Sequence, residues 1–159
     1  MSNELEFRKI QKEDFPEYLG WFKDADLNKQ LGPLEEDDEW FTYVLNEQKG
    51  LTDLAGCTYS VFQNKKLVSV IGIAYPDKEE PTYTITSIAV KPFLRSRGIG
   101  KMILKKVMEL HPPKEGEYWR AFVSQKNPKA VLFFENNGWR CVSKSPENND
   151  MYSFEYYEV

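Results

Sequence analysis

Val90–Lys101 is the most informative stretch of the chain, with the sequence VKPFLRSRGIGK. The segment before it, Tyr83–Val90, is rich in β-branched residues and predicts a strand. After Gly98, apolar residues recur at helical spacing as far as Leu110, and the Pro112-Pro113 pair ends the predicted helix. The stretch is therefore predicted to connect a strand to a helix.

The glycines and basic residues of this connection predict a phosphate site. Gly98 and Gly100 stand at the entrance of the helix, where glycine lets the backbone come close to a ligand. The first amides of a helix have no partner inside the helix, and they lie at the positive end of its dipole. Basic side chains add charge at Arg95, Arg97 and Lys101. Together these features indicate a site for a pyrophosphate.

Two better-known glycine-rich loops do not fit the same residues. A Walker A loop needs glycine at position 95 and Ser or Thr at position 102, but the chain has Arg95 and Met102 there. A dinucleotide-binding fingerprint needs a third glycine where the chain has Ile103. On the loop chemistry alone, a helix that starts with glycine and carries solvated basic residues remains an equal alternative.

Two short elements of the sequence resemble, in the same order, the signature of the GNAT acetyltransferase superfamily. Arg95–Gly100 matches Gln/Arg-x-x-Gly-x-Gly/Ala, and Ile88–Pro92 resembles the strand end that precedes this signature in the family. The second element is an Asn-x-x-Ala segment followed by an aromatic pair and then by a Gly-aromatic pair. It comprises Asn127, Ala130, Phe133-Phe134 and Gly138-Trp139. The order of strands and helices is similar to that of the family over nearly the whole chain.

The resemblance implies that the protein uses acetyl-CoA as a co-substrate. The backbone of residues 95–101 would hold the CoA pyrophosphate, and the strand edge at Ile88 and Val90 would pair with the pantetheine arm. Asn127 would hydrogen-bond the pantetheine or the thioester end. Phe133 and Phe134 would line the cofactor channel, a role that is compatible with core packing. The residues assigned to acetyl-CoA in this way are Ile88, Ala89, Val90, Arg95, Ser96, Arg97, Gly98, Ile99, Gly100, Lys101, Asn127, Phe133 and Phe134.

One position departs from the family pattern. The usual general acid is a tyrosine in the second element, but this chain has Phe134 there, which cannot donate a proton. A thiol pKa of about 8.5 makes the CoA thiolate a tolerable leaving group, so either another group protonates it or none does. Tyr83 is the candidate catalytic residue, by its chemistry and approximate location, and no general base is assigned. The family attacks directly without an acyl-enzyme, and Cys57 and Cys141 lie outside both elements.

The order of predicted elements indicates one α+β domain over residues 1–159, with a mixed, mostly antiparallel central sheet flanked by helices. A first helix is predicted from Asp14, as its N-cap, to Trp21, and Gln63–Lys66 is predicted to be the turn of a hairpin. The acidic run Glu35–Glu39 would open a second helix, because acidic residues favour the helix dipole there. The remaining strands are predicted at Leu5–Ile10, Thr58–Phe62, Leu67–Ala74, Tyr118–Val123, Trp139–Val142 and Met151–Tyr157, with a last helix at Asn127–Asn136.

Composition and charge argue against several other classes of protein. The 159 residues are 41% hydrophobic and 29% charged, which is typical of a globular domain. The net charge is −4 and no basic face is visible, so nucleic acid is not an expected partner. The chain lacks both an apolar run long enough to span a bilayer and a secretory signal, which predicts a cytoplasmic protein without a membrane partner. His111 is the only histidine and the two cysteines are isolated, so no metal site is expected.

The expected partner is a small-molecule or peptide amine acceptor. The acidic run Glu35–Glu39 could attract a polyamine, an aminoglycoside or a lysine-rich protein end, but a solvated helix start is the favoured interpretation. The sequence identifies neither the acceptor nor the oligomeric state, and a homodimer is compatible with it. The leading hypothesis is an N-acetyltransferase that acts on a primary amine. One alternative is a CoA-binding sensor or scaffold with little or no catalysis, which Phe134 favours, and another is a purely structural domain, which the paired elements disfavour.

Overall fold

The computed structural model describes residues 4–32, 34, 35, 38–94, 98–145 and 148–157. Three residues of the predicted phosphate loop, Arg95, Ser96 and Arg97, lie outside these ranges. The strands are β1 (Leu5–Lys9), β2 (Gly56–Gln63), β3 (Lys66–Ala74), β4 (Thr82–Val90), β5 (Tyr118–Ser124), β6 (Arg140–Ser145) and β7 (Asn148–Tyr156). The helices are α1 (Phe15–Trp21), α2 (Ala25–Leu31), α3 (Glu39–Gln48), α4 (Ile99–Leu110) and α5 (Pro128–Asn136).

The strands form one mixed, mostly antiparallel sheet, as the sequence predicts, with the order β1-β2-β3-β4-β5-β7-β6. The pair β4–β5 is parallel, because helix α4 connects the two strands in a βαβ unit. β2 and β3 are joined by the predicted hairpin turn, in which Asn64 and Lys65 have φ angles of 52° and 67°. Two consecutive positive φ angles are typical of the two-residue turns that match the twist of a hairpin.

The chain divides into two compact units. The first contains the chain as far as Ile73 together with Ser87–His111. Its core joins residues of α1, α2 and α3 to residues of β3 and β4. The buried members of this core are Ile10, Tyr18, Trp21, Phe22, Leu27, Val44, Leu67, Val70 and Ala89. Ala89 therefore belongs to the core of the unit, although the residues beside it in β4 are only half-buried.

Asp14 stands at the N-cap position of α1, as predicted, but its carboxylate does not cap that helix. Both carboxylate oxygens accept hydrogen bonds from the guanidinium of Arg8, at 2.9 and 3.0 Å. One of them also accepts the hydroxyl of Ser60 at 2.8 Å and the backbone amide of Gln11 at 2.9 Å. Asp14 is therefore a buried junction between β1, β2 and the start of α1, since a buried carboxylate needs such partners.

The next two helices, α2 and α3, need comment. No helix is predicted at α2, which is capped by Asp24 through a hydrogen bond from the amide of Leu27 at 3.0 Å. The end of the acidic run opens α3, since Asp38 caps the helix through the amide of Trp40 at 2.9 Å and Glu39 lies in its first turn, whereas Glu35 precedes the helix. Residues 36 and 37 of the run lie outside the described residues.

The second unit contains Ala74–Thr86 and the chain from Pro112 onward. β5 pairs in parallel with β4 from Thr82↔Tyr118 to Ile85↔Ala121, and it pairs with β7 on its other side. Helix α5 contributes Phe134 to the core of this unit. The other large buried side chains of this unit are Ile85, Trp119, Val123, Trp139 and Phe154.

None of the helices within the described ranges is long and apolar enough to cross a membrane.

The end of α4 carries a contact that predicts a pH dependence of stability. The Nε2 atom of His111 lies 2.7 Å from the hydroxyl of Tyr59. Burial lowers the pKa of His111, and the charge of Lys9 lowers it further. A histidine whose pKa is lower in the folded than in the unfolded state binds a proton more tightly in the unfolded state, so a fall in pH favours unfolding. Its contribution is therefore fully present above the unfolded pKa of about 6.5 and decreases as the pH falls below that value.

Urea unfolding between pH 7.5 and 5.5 measures this dependence. We expect the free energy of unfolding of the wild type to fall over this range, and we expect His111→Gln to remove that part of the slope. NMR should place the pKa of this single imidazole below about 6.5 in the folded protein. The assignment to His111 is wrong if the variant keeps the slope of the wild type.

Candidate functional site

The entrance of α4 has the geometry of an anion site. Gly98 is the N-cap residue, its φ of 78° lies in the left-handed region, and no described side chain caps the helix there. The first intrahelical bond runs from the amide of Met102 to the carbonyl of Gly98, at 3.3 Å. The amides of Ile99, Gly100 and Lys101 therefore have no intrahelical acceptor and lie at the positive end of the dipole.

The space beside Gly98 is open as far as the described residues define it, because none of their atoms would lie within 4 Å of an added Cβ atom. The helix behind it is fixed by four buried side chains, Ile99, Ile103, Leu104 and Val107. Lys101 is exposed in the first turn and no acidic residue stands there. These described residues fit a pyrophosphate, since they offer backbone amide donors, open space for the ligand at Gly98 and the positive charge of Lys101.

The end of β4 presents two residues toward the edge opposite β3. The hydroxyl of Ser69 donates to the carbonyl of Ala89 at 2.7 Å, and the amide of Lys91 donates to the carbonyl of Val68 at 2.9 Å. Ala89 and Lys91 thus direct their backbone groups toward β3. Because successive residues of a strand alternate, Ile88 and Val90 direct theirs the opposite way. This orientation would allow Ile88 and Val90 to pair with a pantetheine arm, and that pairing stays a prediction.

A short 3-10 turn, Pro92–Leu94, follows β4. It is held by the amide of Leu94, which donates to the carbonyl of Lys91 at 2.8 Å, and the ammonium of Lys91 lies 3.3 Å from the carboxylate of Glu17. The side chain of Phe93 on this turn is 83% exposed.

In the second unit, Asn127 is the N-cap of α5. Its Oδ1 atom accepts the amide of Ala130 at 3.2 Å, and Pro128 follows at the first helical position. The Asn-x-x-Ala spacing therefore has a structural reason, because an asparagine cap accepts the amide three residues on. The capping bond uses the side-chain oxygen, so the amide nitrogen is the group that a ligand would meet.

The two phenylalanines of α5 differ in burial. Phe134 is 4% exposed, its ring is stacked at 5.8 Å on Phe154, and it meets Trp139 edge-on at 5.0 Å. Phe133 is half-buried and contacts Phe134 edge-on at 5.3 Å. Gly138 has a φ of 84°, which ends the helix and lets the amide of Trp139 reach the carbonyl of Phe134 at 3.0 Å. Position 134 is therefore a core position of this unit.

Tyr83 belongs to an aromatic group in the second unit. Its ring is stacked on Trp119 with centroids 5.0 Å apart, and it meets Tyr75 edge-on at 6.2 Å. The parallel register places Tyr83 directly opposite Trp119. Burial raises the pKa of Tyr83, and the charge of Glu117 raises it further. Like an ordinary tyrosine, Tyr83 therefore keeps its proton at neutral pH.

Within the described ranges, no three His, Cys, Asp or Glu side chains are grouped so that they could hold a metal ion. Cys57 is buried and Cys141 is exposed, and the two do not form a disulfide bond.

Comparison with known proteins places these features in a family. The model of the acetyltransferase (GNAT) family matches residues 6–139. A protein of Bacillus subtilis (strain 168), described as the uncharacterized N-acetyltransferase YfmK, is 22% identical over 143 residues, which are 90% of either chain.

Three solved structures have similar folds at low sequence identity. An acetyltransferase from Thermus thermophilus is 17% identical, with a TM-score of 0.75 and coverage of 98% of this chain and 99% of that one. The spermidine N-acetyltransferase of Vibrio cholerae, in complex with CoA and spermine, is 14% identical, with a TM-score of 0.72 and coverage of 97% and 94%. An acetyl transferase of Salmonella typhimurium that modifies the N-terminal serine of ribosomal protein L7/L12 is 15% identical, with a TM-score of 0.75 and coverage of 99% and 97%.

Proposed function

The chain belongs to the acetyltransferase (GNAT) family, and on that premise we propose that it transfers an acetyl group from acetyl-CoA to a primary amine by direct attack. When bound, acetyl-CoA supplies an activated thioester. The work left to the protein is to hold this thioester, to orient the amine and to manage two protons, one lost by the amine and one gained by the thiolate.

The observation that carries the proposal is the entrance of α4. Gly98 adopts a left-handed conformation beside open space, and three backbone amides there have no intrahelical acceptor. A pyrophosphate would accept hydrogen bonds from these amides at the positive end of the helix dipole. The exposed ammonium of Lys101 adds charge. Such charge-assisted hydrogen bonds contribute about 1.5–3 kcal/mol each.

The remaining contacts to acetyl-CoA are proposed on the family pattern together with backbone orientation. Ile88 and Val90 direct their backbone groups away from β3, so an extended pantetheine arm can pair with them as an added strand. In the second unit, the amide nitrogen of Asn127 remains a donor for the ligand after its oxygen has capped α5. Phe134 contributes packing rather than proton transfer, since its buried ring has no ionisable proton to donate.

The acceptor class is inferred from the relatives and from the chemistry. One relative of known structure is named for spermidine and another for the N-terminal serine of a ribosomal protein. Both substrates present primary amines, although they differ in size and charge. A primary amine is nucleophilic only after it loses its proton, so we expect the rate to rise with pH until the amine is deprotonated.

Release of CoA with a panel of acceptors tests the proposal. The panel contains spermidine, an aminoglycoside, free amino acids and a peptide with an N-terminal serine, and mass spectrometry should find one added acetyl group on the amine of at least one of them. If acetyl-CoA binds but no acceptor is modified, the alternative of a CoA-binding sensor or scaffold is correct instead. If acetyl-CoA does not bind at all, the proposed function is wrong.

The proton donor is tested at Tyr83. This phenol keeps its proton at neutral pH, as an ordinary tyrosine does, and burial and Glu117 raise its pKa further. Position 134 offers no donor. We expect Tyr83→Phe to lower kcat about a hundredfold and to leave the affinity for acetyl-CoA unchanged, as for loss of a general acid.

The companion variant Phe134→Tyr restores the family residue at position 134. If departure of the thiolate limits turnover, this phenol should raise kcat modestly, because a newly placed acid is rarely well aligned. A wild-type kcat for Tyr83→Phe combined with a gain for Phe134→Tyr would show that the native site works without a proton donor. Calorimetry with acetyl-CoA on each variant separates a change in binding from a change in chemistry.

A further inference from the structure

β1 is an edge strand of the sheet, and its outer side carries backbone groups that another strand could bind. Within the described part of the chain, β1 pairs only with β2, over its whole length. The amide of Ile10, just after β1, donates to the carbonyl of Thr58 in β2 at 2.9 Å. Because successive residues of a strand alternate, the amides and carbonyls that point outward are those of Leu5, Phe7 and Lys9.

The strand at the opposite edge of the sheet, β6, is less regular. Its pairing with β7 shifts register between Cys141 and Ser143 and again between Lys144 and Ser145. Such irregularities are a common protection of edge strands against pairing with another chain. The pairing of β1 with β2 has no such shift. β1 therefore keeps the regular backbone that a further strand needs.

The sequence of β1, Leu-Glu-Phe-Arg-Lys, is complementary to itself when two copies run antiparallel. A two-fold axis at Phe7 pairs all of the outward-directed residues, Phe7 with itself and Leu5 with Lys9, and each pair can exchange both of its backbone hydrogen bonds. The same axis sets Glu6 of either copy directly opposite Arg8 of the other. Opposite charges in such cross-strand pairs are stabilising, whereas like charges are destabilising.

Arg8 is already held in place for this contact. Its guanidinium donates to both carboxylate oxygens of Asp14, and its Cζ atom lies 4.5 Å from the centre of the Phe62 ring. The side chain of Arg8 is still 37% exposed, and Glu6 on the same face of the strand is exposed. The carboxylate of Glu6 from a second copy would therefore meet a cation that has little conformational freedom left to lose.

A groove of about 280 Å³ lies between the start of β1 and α4 on the other face of the strand. Its lining combines apolar side chains with charges of both signs, and it consists of Glu4, Leu5, Met102, Lys105, Lys106 and Glu109. In the antiparallel pair, the exposed Lys9 of the second copy stands opposite Leu5 and brings an ammonium toward a groove that contains carboxylates. We propose that the chain forms a homodimer by antiparallel pairing of β1 with β1 of a second copy, with the two-fold axis at Phe7.

Sedimentation equilibrium over a range of protein concentrations tests the proposal without an activity assay. A pair of five-residue strands is a small interface, and small interfaces give weak complexes, so we expect a concentration-dependent equilibrium of monomer and dimer. Lys9→Pro removes an outward amide and leaves the amides that bond to β2 in place, so it should raise the Kd of the dimer about tenfold or more.

Glu6→Arg tests the charge pairing separately. It sets like charges opposite each other on both sides of the axis and should raise the Kd about tenfold. The matched control is Glu135→Arg, which makes the same change of charge at an exposed position of α5 in the second unit and should leave the Kd unchanged. Thermal unfolding of each variant checks that the fold is intact, because exposed positions should shift the midpoint little.

Cysteine cross-linking tests the register. In a Cys141→Ser background, which lacks the exposed native cysteine, Phe7→Cys meets its own copy across the axis. The Cα atoms of this pair would be about 5.5 Å apart, a separation that a disulfide can span. Glu6→Cys should not cross-link, since position 6 faces position 8 of the second copy and its own copy lies beyond the reach of about 7 Å.

Three results would overturn the inference, and each leaves the proposed function standing because none concerns acetyl transfer. One is a wild type that stays monomeric at every concentration. Another is a dimer whose Kd is the same in Lys9→Pro, Glu6→Arg and the wild type, which would show that it forms through another surface. The third is a disulfide at position 6 instead of position 7, which would contradict the axis at Phe7.

Discussion

Gly98→Val is expected to weaken acetyl-CoA binding about a hundredfold or more. The φ of 78° at Gly98 is strained for any side chain, and the open space beside it is the approach that we propose for the phosphates. A valine would occupy that approach and would keep the phosphates from at least two charge-assisted hydrogen bonds, each of about 1.5–3 kcal/mol. Calorimetry with acetyl-CoA on the folded variant measures the loss.

Gly116→Val is the matched control for this variant. Gly116 has a φ of 85°, nothing lies within 4 Å of an added Cβ atom, and it stands in the turn before β5 of the second unit. The backbone strain of the two substitutions is therefore similar, but only Gly98 lies at the entrance of α4. Equal acetyl-CoA affinities of the two variants would show that backbone strain, rather than a blocked ligand, explains the effect, and the assignment of the phosphate loop would fall.

Phe134→Ala is expected to cost about 3–5 kcal/mol of the free energy of unfolding, the range for removal of a buried aromatic ring. The ring is 4% exposed and packs between Phe154 and Trp139. Since domains have about 5–15 kcal/mol of stability in total, this single change could leave the second unit barely folded. Urea unfolding, followed by tryptophan fluorescence, measures the change.

Leu132→Ala is the control on the same helix. Leu132 is 58% exposed, so its removal should cost no more than about 0.5 kcal/mol. Comparable losses for the two variants would mean that Phe134 is not a core residue, and a role at the cofactor channel would then be the better interpretation. A large loss for Phe134→Ala alone would explain why an aromatic residue stands at position 134 even without a phenol.

Local sequence patterns predict the strands and most of the helices. The structure departs from the prediction where the local pattern is sparse or where a role depends on residues far away in the chain. α2 was missed because its seven residues bury mainly Leu27 while Leu31 remains exposed, so the apolar spacing is too sparse to detect. Asp24, its cap, was the available signal. The role of Asp14 depends on Ser60, 46 positions away, which no local pattern reveals.

In the candidate site, too, local features could be predicted and long-range contacts could not. The glycine-opened helix could be predicted because Gly98 and Gly100 act locally, on their own backbone. The capping bond of Asn127 is equally local, although the family resemblance implied a hydrogen bond to the cofactor instead. The stacking of Tyr83 on Trp119 could not be predicted, because it depends on the register of two parallel strands that lie 36 residues apart in the chain.

The position of β7 between β5 and β6 matters for synthesis on the ribosome. β7 is made after both of its neighbours, so neither β5 nor β6 has this partner until residue 156 has emerged. Chains grow at about 5–20 residues per second, and unpaired strand edges are the surfaces through which nascent proteins aggregate. β6 is the outermost strand and pairs only with β7, so the sheet of the second unit is completed when β7 pairs with β5 and brings β6 with it.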